Sequence, residues 1–227
     1  MNPKQRASEA AMEFVKGGMV LGLGTGSTAD FFLQALGSAL KTGKVRDVRG
    51  VPTSVQSQRR AQELGIPLTT LAENPNPDLT VDGADEVTPE LDLIKGLGGA
   101  LLREKIVAQS SRRLVIVADS AKAVKKLGLK SMLPVEVAQF AYEIHDAFFK
   151  KLGAQAALRR QADGKLFVTD NGNYIYDCRF PQGIDDARKL EQTLRSHAGI
   201  VETGLFLGIA SVALIACDQK VDRLERK

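Results

Sequence analysis

The length and composition of the chain exclude several classes of protein. Of its 227 residues, 44% are hydrophobic, which is enough to bury a core in one domain or two small ones. The longest apolar stretches, such as Ile209–Cys217, fall short of the roughly 20 residues that a bilayer-spanning helix needs. The first residues are polar and basic, unlike a secretory signal. We therefore expect a globular, cytoplasmic protein without membrane association.

The distribution of charges and the small numbers of aromatic and cysteine residues indicate which kinds of ligand the protein binds. The 31 basic and 27 acidic residues give a net charge of +4 and are mixed along the chain. Tryptophan is absent and aromatic residues make up 5%, so nothing indicates a base-stacking surface for nucleic acid. The two cysteines, Cys178 and Cys217, form no Cys-x-x-Cys pair and predict neither a disulfide framework nor a zinc site. A small anion suits this composition better than a nucleic acid.

The first half of the chain alternates short apolar runs with helical patterns, which predicts a parallel sheet with crossover helices. The fold class expected is α/β and Rossmann-like, with helices on both faces of a largely parallel sheet. Predicted strands cover 19–23, 45–51, 79–81 and 113–118. Predicted helices cover 29–40, 54–64 and 98–110, with Ser54 as an N-cap and Gly65 as a stop signal.

After about Ser131 the pattern changes to strands separated by turn dipeptides. Strands are predicted at 134–138, 154–160, 165–169, 174–180 and 200–206, with helices at 139–152 and 185–197. A last apolar strand, 210–216, is expected to return to the first sheet. The sequence therefore predicts a catalytic α/β domain formed by 1–131 and 204–227, with 132–203 inserted as a smaller α+β, ferredoxin-like subdomain.

A glycine-rich segment, GLGTGST at 22–28, lies between the first predicted strand and helix. At such a turn the backbone N–H groups and the positive end of the helix converge on an anion. The hydroxyl groups of Thr25, Ser27 and Thr28 add donors that suit a compact monophosphate. An ordinary glycine turn with Ser27 as N-cap would show the same sequence.

Two nucleotide-binding alternatives fit this segment less well. The spacing Gly24-x-Gly26-x-x-Ala29 matches the dinucleotide fingerprint, but that motif requires an acidic residue at the end of the second strand. VPTS stands there instead, at 51–54. A nucleotide P-loop would continue with Gly-Lys-Ser/Thr, which is absent here.

Three carboxylates occur in the DGADE segment at 82–86, directly after an apolar strand. Ligand sites in α/β sheets form at this carboxyl edge. Crowded carboxylates can raise the pKa of one member and so supply an acid beside a base for steps on a sugar. A solvated acidic turn and a Mg²⁺ site at Asp82, Asp85 and Glu86 are the alternatives.

A second glycine loop, KGLGG at 95–99, brings Lys95 to the start of another predicted helix, where its ammonium could stabilise an oxyanion. Glu104 follows in the second turn of that helix, beside Arg103 and Lys105, where a charged helical surface is the simpler interpretation. The combination of two glycine loops, a carboxylate cluster and a lysine, all expected at one sheet edge, favours a catalytic site.

Weaker candidates complete the set. Lys122 follows the strand that ends near Ala118, although Lys125 and Lys126 suggest a simple basic helix. Lys4 could reach a phosphate only if an amino-terminal helix packs beside the glycine loop. We expect surface or capping roles for His145 and His197.

Taken in order, these segments resemble the type A ribose-5-phosphate isomerases over nearly the whole chain. The matching stretches are GLGTGST at 22–28, VPTS at 51–54, DGADE at 82–86, KGLGGALLREK at 95–105, ADSAK at 118–122, LPVEV at 133–137, TDNGN at 169–173 and GIVETGLF at 199–206. One departure is that Leu97 interrupts the run of glycines that the family more often carries after the lysine, which affects the loop backbone.

The resemblance implies an aldose-ketose isomerase of the pentose phosphate pathway that interconverts D-ribose 5-phosphate and D-ribulose 5-phosphate through an enediolate. It implies no cofactor and no obligatory metal. It also suggests a homodimer, although a tetramer stays open.

The resemblance further implies roles for individual residues. Glu104 is expected to be the general base that moves a proton between C2 and C1, and Asp82 to assist ring opening and exchange with the sugar hydroxyls. Lys95 is expected to stabilise the oxyanion. Expected substrate contacts come from Lys4, Thr25, Gly26, Ser27, Thr28, Asp82, Gly83, Ala84, Asp85, Lys95, Gly96, Leu97, Gly98 and Lys122.

One rival function stays open at the level of the sequence, and a second is disfavoured. A related sugar-phosphate deaminase or isomerase could use the same phosphate loop, and release of ammonia from an amino sugar phosphate would distinguish it. A ligand-sensing domain of a regulator should carry a helix-turn-helix before the glycine loop, and the stretch before Met19 has no room for one.

Overall fold

The computed structural model describes residues 2–226, which divide into two compact units. The first unit contains the residues up to Ala84, Arg103–Ala123, and the residues from Gly208 onward. The second unit contains Asp85–Leu102 and Val124–Leu207. It is larger than the predicted insertion 132–203, because strands formed within 85–102 pair in a sheet of the second unit.

Within residues 2–226, the strands and helices have the following bounds. The strands are β1 Val20–Leu23, β2 Arg49–Pro52, β3 Leu79–Gly83, β4 Glu86–Val87, β5 Leu93–Ile94, β6 Leu114–Asp119, β7 Leu133–Val137, β8 Gln155–Leu158, β9 Tyr174–Arg179, β10 Ile200–Thr203, β11 Leu205–Phe206, β12 Val212–Ala216 and β13 Val221–Glu225. The α-helices are α1 Pro3–Ala10, α2 Ser27–Lys41, α3 Val55–Glu63, α4 Leu101–Ser110, α5 His145–Lys151 and α6 Ala187–Arg195.

The first unit is built on one six-stranded sheet in the order β13-β12-β6-β3-β1-β2. Its strands run parallel except β13, which pairs antiparallel with β12 at the edge. The chain leaves β1 for β2 on one side and then crosses to β3 on the other. The carboxyl ends of β1 and β3 therefore form a topological switch point, where open α/β sheets bind ligands.

Helices cover both faces of this sheet, as predicted. On one face, alternate strand residues such as Leu21, Leu23 and Val81 pack with α1 and α2 in a buried apolar cluster. On the other face lies α4: a Cβ atom on Gly22 would approach Cγ1 of Val107 to 2.8 Å. The hydroxyl of Ser111, just after α4, lies 2.7 Å from that of Thr80 in β3.

The predicted signals at the ends of α3 are confirmed. The Ser54 hydroxyl accepts from the backbone N–H of Ser57 at 2.9 Å, and the Ser57 hydroxyl accepts from the Ser54 N–H at 3.0 Å. This reciprocal capping fixes the first turn. Gly65 follows the helix with φ of 69°, a conformation in which a side chain is disfavoured.

The second unit contains two antiparallel sheets, in the orders β10-β7-β9-β8 and β11-β5-β4. One face of the four-stranded sheet is apolar, with Leu133, Val135 and Tyr176 in a buried cluster that includes Phe149 of α5 and Leu194 of α6. The predicted α+β character of this region is thus confirmed.

Three predicted elements of the second unit differ in the structure. The hairpin across 154–169 is reduced to one bridge between Arg160 and Leu166, because β8 pairs with β9 instead. The single strand 200–206 is interrupted at Gly204, so that β10 and β11 belong to different sheets. The helix 139–152 starts later, at His145, because Ala141 takes a left-handed conformation with φ of 54° before a short 3₁₀ turn.

No helix formed by residues 2–226 combines the length and the apolar character needed to cross a bilayer. The return of the last apolar strand to the first sheet is confirmed, because β12 pairs parallel with β6 from Val212 to Ala216.

Candidate active site

The glycine loop leaves β1 in contact with the end of β3. The Gly24 N–H donates to the Val81 carbonyl at 3.0 Å, and the Thr25 N–H donates to Oδ1 of Asp82 at 3.0 Å. Gly26 then takes a φ of 101° and precedes α2, which starts at Ser27. The first N–H groups of α2, those of Ser27 and Thr28, have no carbonyl one turn earlier, so they remain donors for an anion.

The hydroxyl of Thr25 supports the loop. It is buried and lies 2.7 Å from the hydroxyl of Thr53 and 2.8 Å from that of Ser54. Thr53 in turn donates to the carbonyl of Leu23 at 2.9 Å. In this geometry the Thr25 hydroxyl contacts the VPTS segment, and its role as a donor for phosphate stays a prediction.

Asp82 stands at the carboxyl end of β3 with 1% of its surface exposed. Its Oδ1 accepts from the N–H groups of Thr25 at 3.0 Å and of Gly83 at 2.7 Å. Because strand residues alternate between faces, Asp82 shares a face with Thr80, and that face is covered by α4. The carboxylate thus ties the glycine loop to β3 on the α4 side of the sheet.

Glu104 belongs to the first turn of α4 and is buried, with 4% exposed. It precedes Val107 and Ser111 by one and two turns, so it lies on the helix face that packs against the sheet. The N–H of Arg112, just after α4, donates to the carbonyl of Pro77, before β3 begins. The helix therefore runs from the carboxyl edge of the sheet to its amino edge, and Glu104 is at the same edge and face as Asp82.

The burial of Glu104 excludes the simpler interpretation of a charged helical surface. The neighbouring Lys105 is also buried, with 3% exposed. Sequence periodicity could not show this, because charged and apolar residues are mixed around α4.

Two of the candidate lysines, Lys4 and Lys122, lie in the first unit. The Nζ of Lys4, in α1, donates to the hydroxyl of Ser27 at 3.0 Å, so α1 does pack beside the glycine loop. Lys122 ends a 3₁₀ turn that follows the carboxyl end of β6. The basic helix expected through Lys125 and Lys126 does not form, because the 3₁₀ turn ends at Lys122 and these two lysines lie in a bend.

The carboxylates of the DGADE segment do not act as one acidic cluster. Glu86 is fully buried, and its two oxygens accept from the backbone N–H groups of Gly128, Lys130 and Ser131, each at 2.6 Å. Its role is to fix that loop of the second unit. Among residues 2–226, no three His, Cys, Asp or Glu side chains are grouped to hold a metal ion.

Lys95 and Asp85 belong to the second unit. Lys95 follows β5 and is buried, with its N–H donating to the carbonyl of Gly204 at 2.9 Å. Asp85 precedes β4, and its Oδ2 accepts from the N–H of Leu97 at 3.0 Å. The expectation that Lys95 follows a strand of the same sheet as Asp82 is wrong, because β5 pairs with β4 and β11 in the three-stranded sheet.

Leu97 lies at a position of the second glycine loop where a side chain is not disfavoured by a positive φ angle. The positive φ angles fall on Gly96, at 98°, and on Gly99, at 87°, whereas Leu97 has none. The Gly99 N–H donates to the Gly96 carbonyl at 2.9 Å and closes the turn. A leucine is therefore compatible with this backbone, in which 37% of its surface is exposed.

The position of His145 differs from expectation as well. His145 is fully buried against Phe149 and Tyr176, and His197 stacks on Phe148 with ring centroids 3.8 Å apart. Burial lowers the pKa of His145, and the nearby His197 lowers it further. His145 is thus a core residue, and the surface role predicted for it is wrong.

Some residues around the loops were not found from the sequence. Arg159 donates to the carbonyls of Gly96 and Leu97, and Glu136 accepts from the side chains of Thr169, Asn171 and Asn173. The TDNGN motif could have indicated a group of polar side chains around a buried acid. No local signal connects Arg159 to Leu97, which lies 62 residues earlier in the chain.

Comparison with known proteins gives one consistent family. The model of the family described as ribose 5-phosphate isomerase A (phosphoriboisomerase A) matches residues 49–220. A protein named ribose-5-phosphate isomerase A from Roseiflexus sp. (strain RS-1) is 52% identical over 94% of this chain and 91% of its own. One of the same name from Roseiflexus castenholzii is 49% identical over 98% of this chain and 94% of its own.

Solved structures agree with these relatives. A D-ribose-5-phosphate isomerase in complex with phospho-erythronic acid has a TM-score of 0.96 and 39% identity, with both chains covered completely. A ribose 5-phosphate isomerase from Plasmodium falciparum has a TM-score of 0.95 and 40% identity, again over both whole chains. By sequence and by fold, the chain belongs to the ribose 5-phosphate isomerase A family.

Proposed function

We propose that this chain interconverts D-ribose 5-phosphate and D-ribulose 5-phosphate through an enediolate. The observation that carries the proposal is the position of Asp82 and Glu104 at one edge and one face of the first sheet. The glycine loop that suits a phosphate group lies at the same switch point. The reaction is the one for which the family is named.

The phosphate is proposed to bind at the start of α2. The N–H groups of Ser27 and Thr28 and the positive end of the helix favour a doubly charged group there. Gly26 lets the backbone approach the ligand closely, and Lys4, hydrogen-bonded to Ser27, adds a cation beside it. Thr25 contributes by fixing the loop through Thr53 and Ser54.

Glu104 is proposed as the general base. It removes the proton from C2 of the open-chain aldose while the C1 carbonyl oxygen takes the negative charge. A proton passes from the C2 hydroxyl to the oxygen on C1, and return of the first proton to C1 leaves the carbonyl group at C2. A carbonyl-activated C–H is too weak an acid for a carboxylate at neutral pH unless the new charge on oxygen is stabilised. The burial of Glu104 keeps bulk water away from the proton in transit.

Asp82 is proposed to assist ring opening and to move protons between the sugar hydroxyl groups. Its Oδ1 is already engaged by two backbone N–H groups, so this oxygen orients the side chain. The resemblance assigns Lys95 to the oxyanion and Asp85 to the sugar. Gly83, Ala84, Gly96, Leu97, Gly98 and Lys122 complete the proposed substrate contacts.

The reaction balances without an external oxidant or a cofactor. The aldehyde carbon C1 gains one hydrogen and C2 loses one, so the redox change is internal to the sugar. The residues proposed here supply a base, a cation and hydrogen-bond donors, and no step requires a metal ion. A homodimer and a cytoplasmic location stay predictions from the resemblance.

The proposal is tested by following conversion of ribose 5-phosphate to ribulose 5-phosphate in the presence of a chelator. We expect full turnover, with no ammonia released from an amino sugar phosphate. Absence of activity on both ribose 5-phosphate and ribulose 5-phosphate would refute the proposed substrates. Activity that is lost when the chelator is added would refute the metal-free mechanism.

A further inference from the structure

We propose that Arg159, held by Asp177, is a positioning residue for the second glycine loop, residues 95–99. The inference rests on the proposed function, in which this loop and Lys95 face the oxygens of the enediolate. All of the contacts that support it lie within the second unit.

The ion pair that anchors Arg159 is nearly buried. Its Nε donates to Oδ2 of Asp177 at 2.9 Å and its Nη2 donates to Oδ1 at 2.5 Å. The side chains are only 12% and 13% exposed. A two-pronged contact of this kind fixes the plane of the guanidinium group, which a lysine could not do.

The remaining branch of the guanidinium group contacts the second glycine loop. Nη1 donates to the carbonyl of Gly96 at 3.2 Å and to that of Leu97 at 3.0 Å. Two consecutive carbonyl groups therefore share one cationic donor. Because glycines take many backbone conformations, a loop of this composition needs such external contacts to keep one of them.

The orientation of these carbonyls determines where the N–H groups of the loop point. In a planar trans peptide, the C=O of one residue and the N–H of the next are directed to opposite sides. The Gly96 carbonyl faces Arg159, and the Leu97 N–H on the opposite side of that peptide donates to Asp85. By the same geometry, the Gly98 N–H is directed away from Arg159, and we infer that it serves as an oxyanion donor.

The Phe167 ring also packs against the second glycine loop. A Cβ atom on Gly99 would lie 2.4 Å from Cζ of the Phe167 ring, so the loop backbone rests directly on the ring. The guanidinium carbon of Arg159 lies 5.7 Å from the centre of this ring. The Phe167 ring and the Arg159 guanidinium group both pack against the loop, and this packing limits the loop to the observed turn.

The test compares Arg159→Gln, Arg159→Lys and the wild type, with Arg160→Gln as the matched control. Arg160 is the adjacent arginine, is exposed, and donates to the carbonyl of Gly164, away from the second glycine loop. Two binding probes are used. Inorganic phosphate reports on the phosphate site, and phospho-erythronic acid carries in addition a planar carboxylate that resembles the enediolate oxygens.

For Arg159→Gln we expect kcat to fall at least about tenfold while KM changes by less than about threefold. Affinity for phospho-erythronic acid should fall by at least about tenfold, with affinity for phosphate unchanged. Arg159→Lys should be intermediate, because an ammonium group keeps the charge but lacks the planar set of donors that contacts Asp177 on one side and the two carbonyls on the other. Arg160→Gln should behave as the wild type.

Wild-type kcat and affinity in Arg159→Gln would overturn the inference. A loss of kcat in proportion to the loss of folded protein would also overturn the inference, because Arg159 would then have only a structural role. The folded fraction is measured by circular dichroism and urea unfolding. Failure of the wild type to turn over ribose 5-phosphate or to bind phospho-erythronic acid would instead refute the proposed function, so the two failures are distinguishable.

Discussion

A Cβ atom on Gly24 would lie 2.4 Å from Oδ1 of Asp82 and 2.5 Å from the carbonyl oxygen of Val81. The glycine loop and the carboxylate at the end of β3 are therefore in direct contact, and only a glycine fits between them. The same oxygen of Asp82 accepts from the N–H of Thr25. The geometry of the phosphate loop and that of the carboxylate consequently depend on each other.

Gly24→Ala should disturb this contact. Because the clash involves backbone atoms of β3, β1 and β3 must separate, and we expect a loss of about 1–3 kcal/mol in the free energy of unfolding. Urea denaturation measures it. Gly83→Ala is the steric comparison, since its Cβ would meet no atom closer than 3.9 Å and should cost far less stability. Equal losses of stability in Gly24→Ala and Gly83→Ala would contradict the close packing of Gly24 against β3.

Asp82 can be tested for separate structural and chemical roles. Asp82→Asn keeps an oxygen that can accept from Thr25 and Gly83, whereas Asp82→Ala leaves both N–H groups without this acceptor. We expect Asp82→Ala to be less stable than Asp82→Asn by about 1–3 kcal/mol, and both to lose most of their turnover. Denaturation and steady-state kinetics distinguish these effects. Full activity of Asp82→Asn would show that the carboxylate has no chemical role.

Lys4 should affect binding of the phosphate group but not the chemical step. Its ammonium contacts Ser27 at the surface, where a single charge contributes about 0.2–1 kcal/mol. Lys4→Gln should therefore raise KM for ribose 5-phosphate by up to about fivefold with kcat unchanged, and less so at high salt. Lys16→Gln, an exposed lysine outside the site, is the control. A fall in kcat alone would contradict this role.

His145 should make the protein less stable in acid. In the folded state burial lowers its pKa, while the unfolded value is about 6.5. The unfolded chain then binds a proton that the folded chain does not, so the free energy of unfolding decreases as pH falls below about 6.5. The slope from this one group is at most about 1.4 kcal/mol per pH unit. His197 adds to the effect and Asp146 opposes it.

Urea unfolding between pH 7.5 and 5 measures this dependence, with His145→Gln as the comparison. The glutamine does not titrate, so its stability should vary less with pH over the same range. An identical acid slope in both proteins would show that other groups cause it.

The sequence predicted the first unit better than the second. The glycine loop, the capped helix α3 and the strand that ends in Asp82 are local patterns, in which neighbours along the chain determine the conformation. The burial of Glu104 could not be predicted from its neighbours along the chain, because it depends on where α4 packs.

The second unit depends on contacts between distant segments. Gly204 divides one apolar run between two sheets, and β8 pairs with β9 in place of the segment across the Asp163-Gly164 turn. The contact of Arg159 with the second glycine loop joins positions that share no motif. Local patterns of hydrophobicity and turn residues locate elements along the chain but do not specify which distant segments pair.

The central claim is that Glu104 carries the proton between C2 and C1. The most direct measurement compares turnover of ribose 5-phosphate by the wild type, Glu104→Gln and the exposed control Glu90→Gln. We expect Glu104→Gln to lose about 10²–10⁴-fold in kcat while still binding phospho-erythronic acid, because a positioned base supplies a factor of that size. Turnover of a folded Glu104→Gln protein within about threefold of the wild type would contradict the claim and assign the base to another residue.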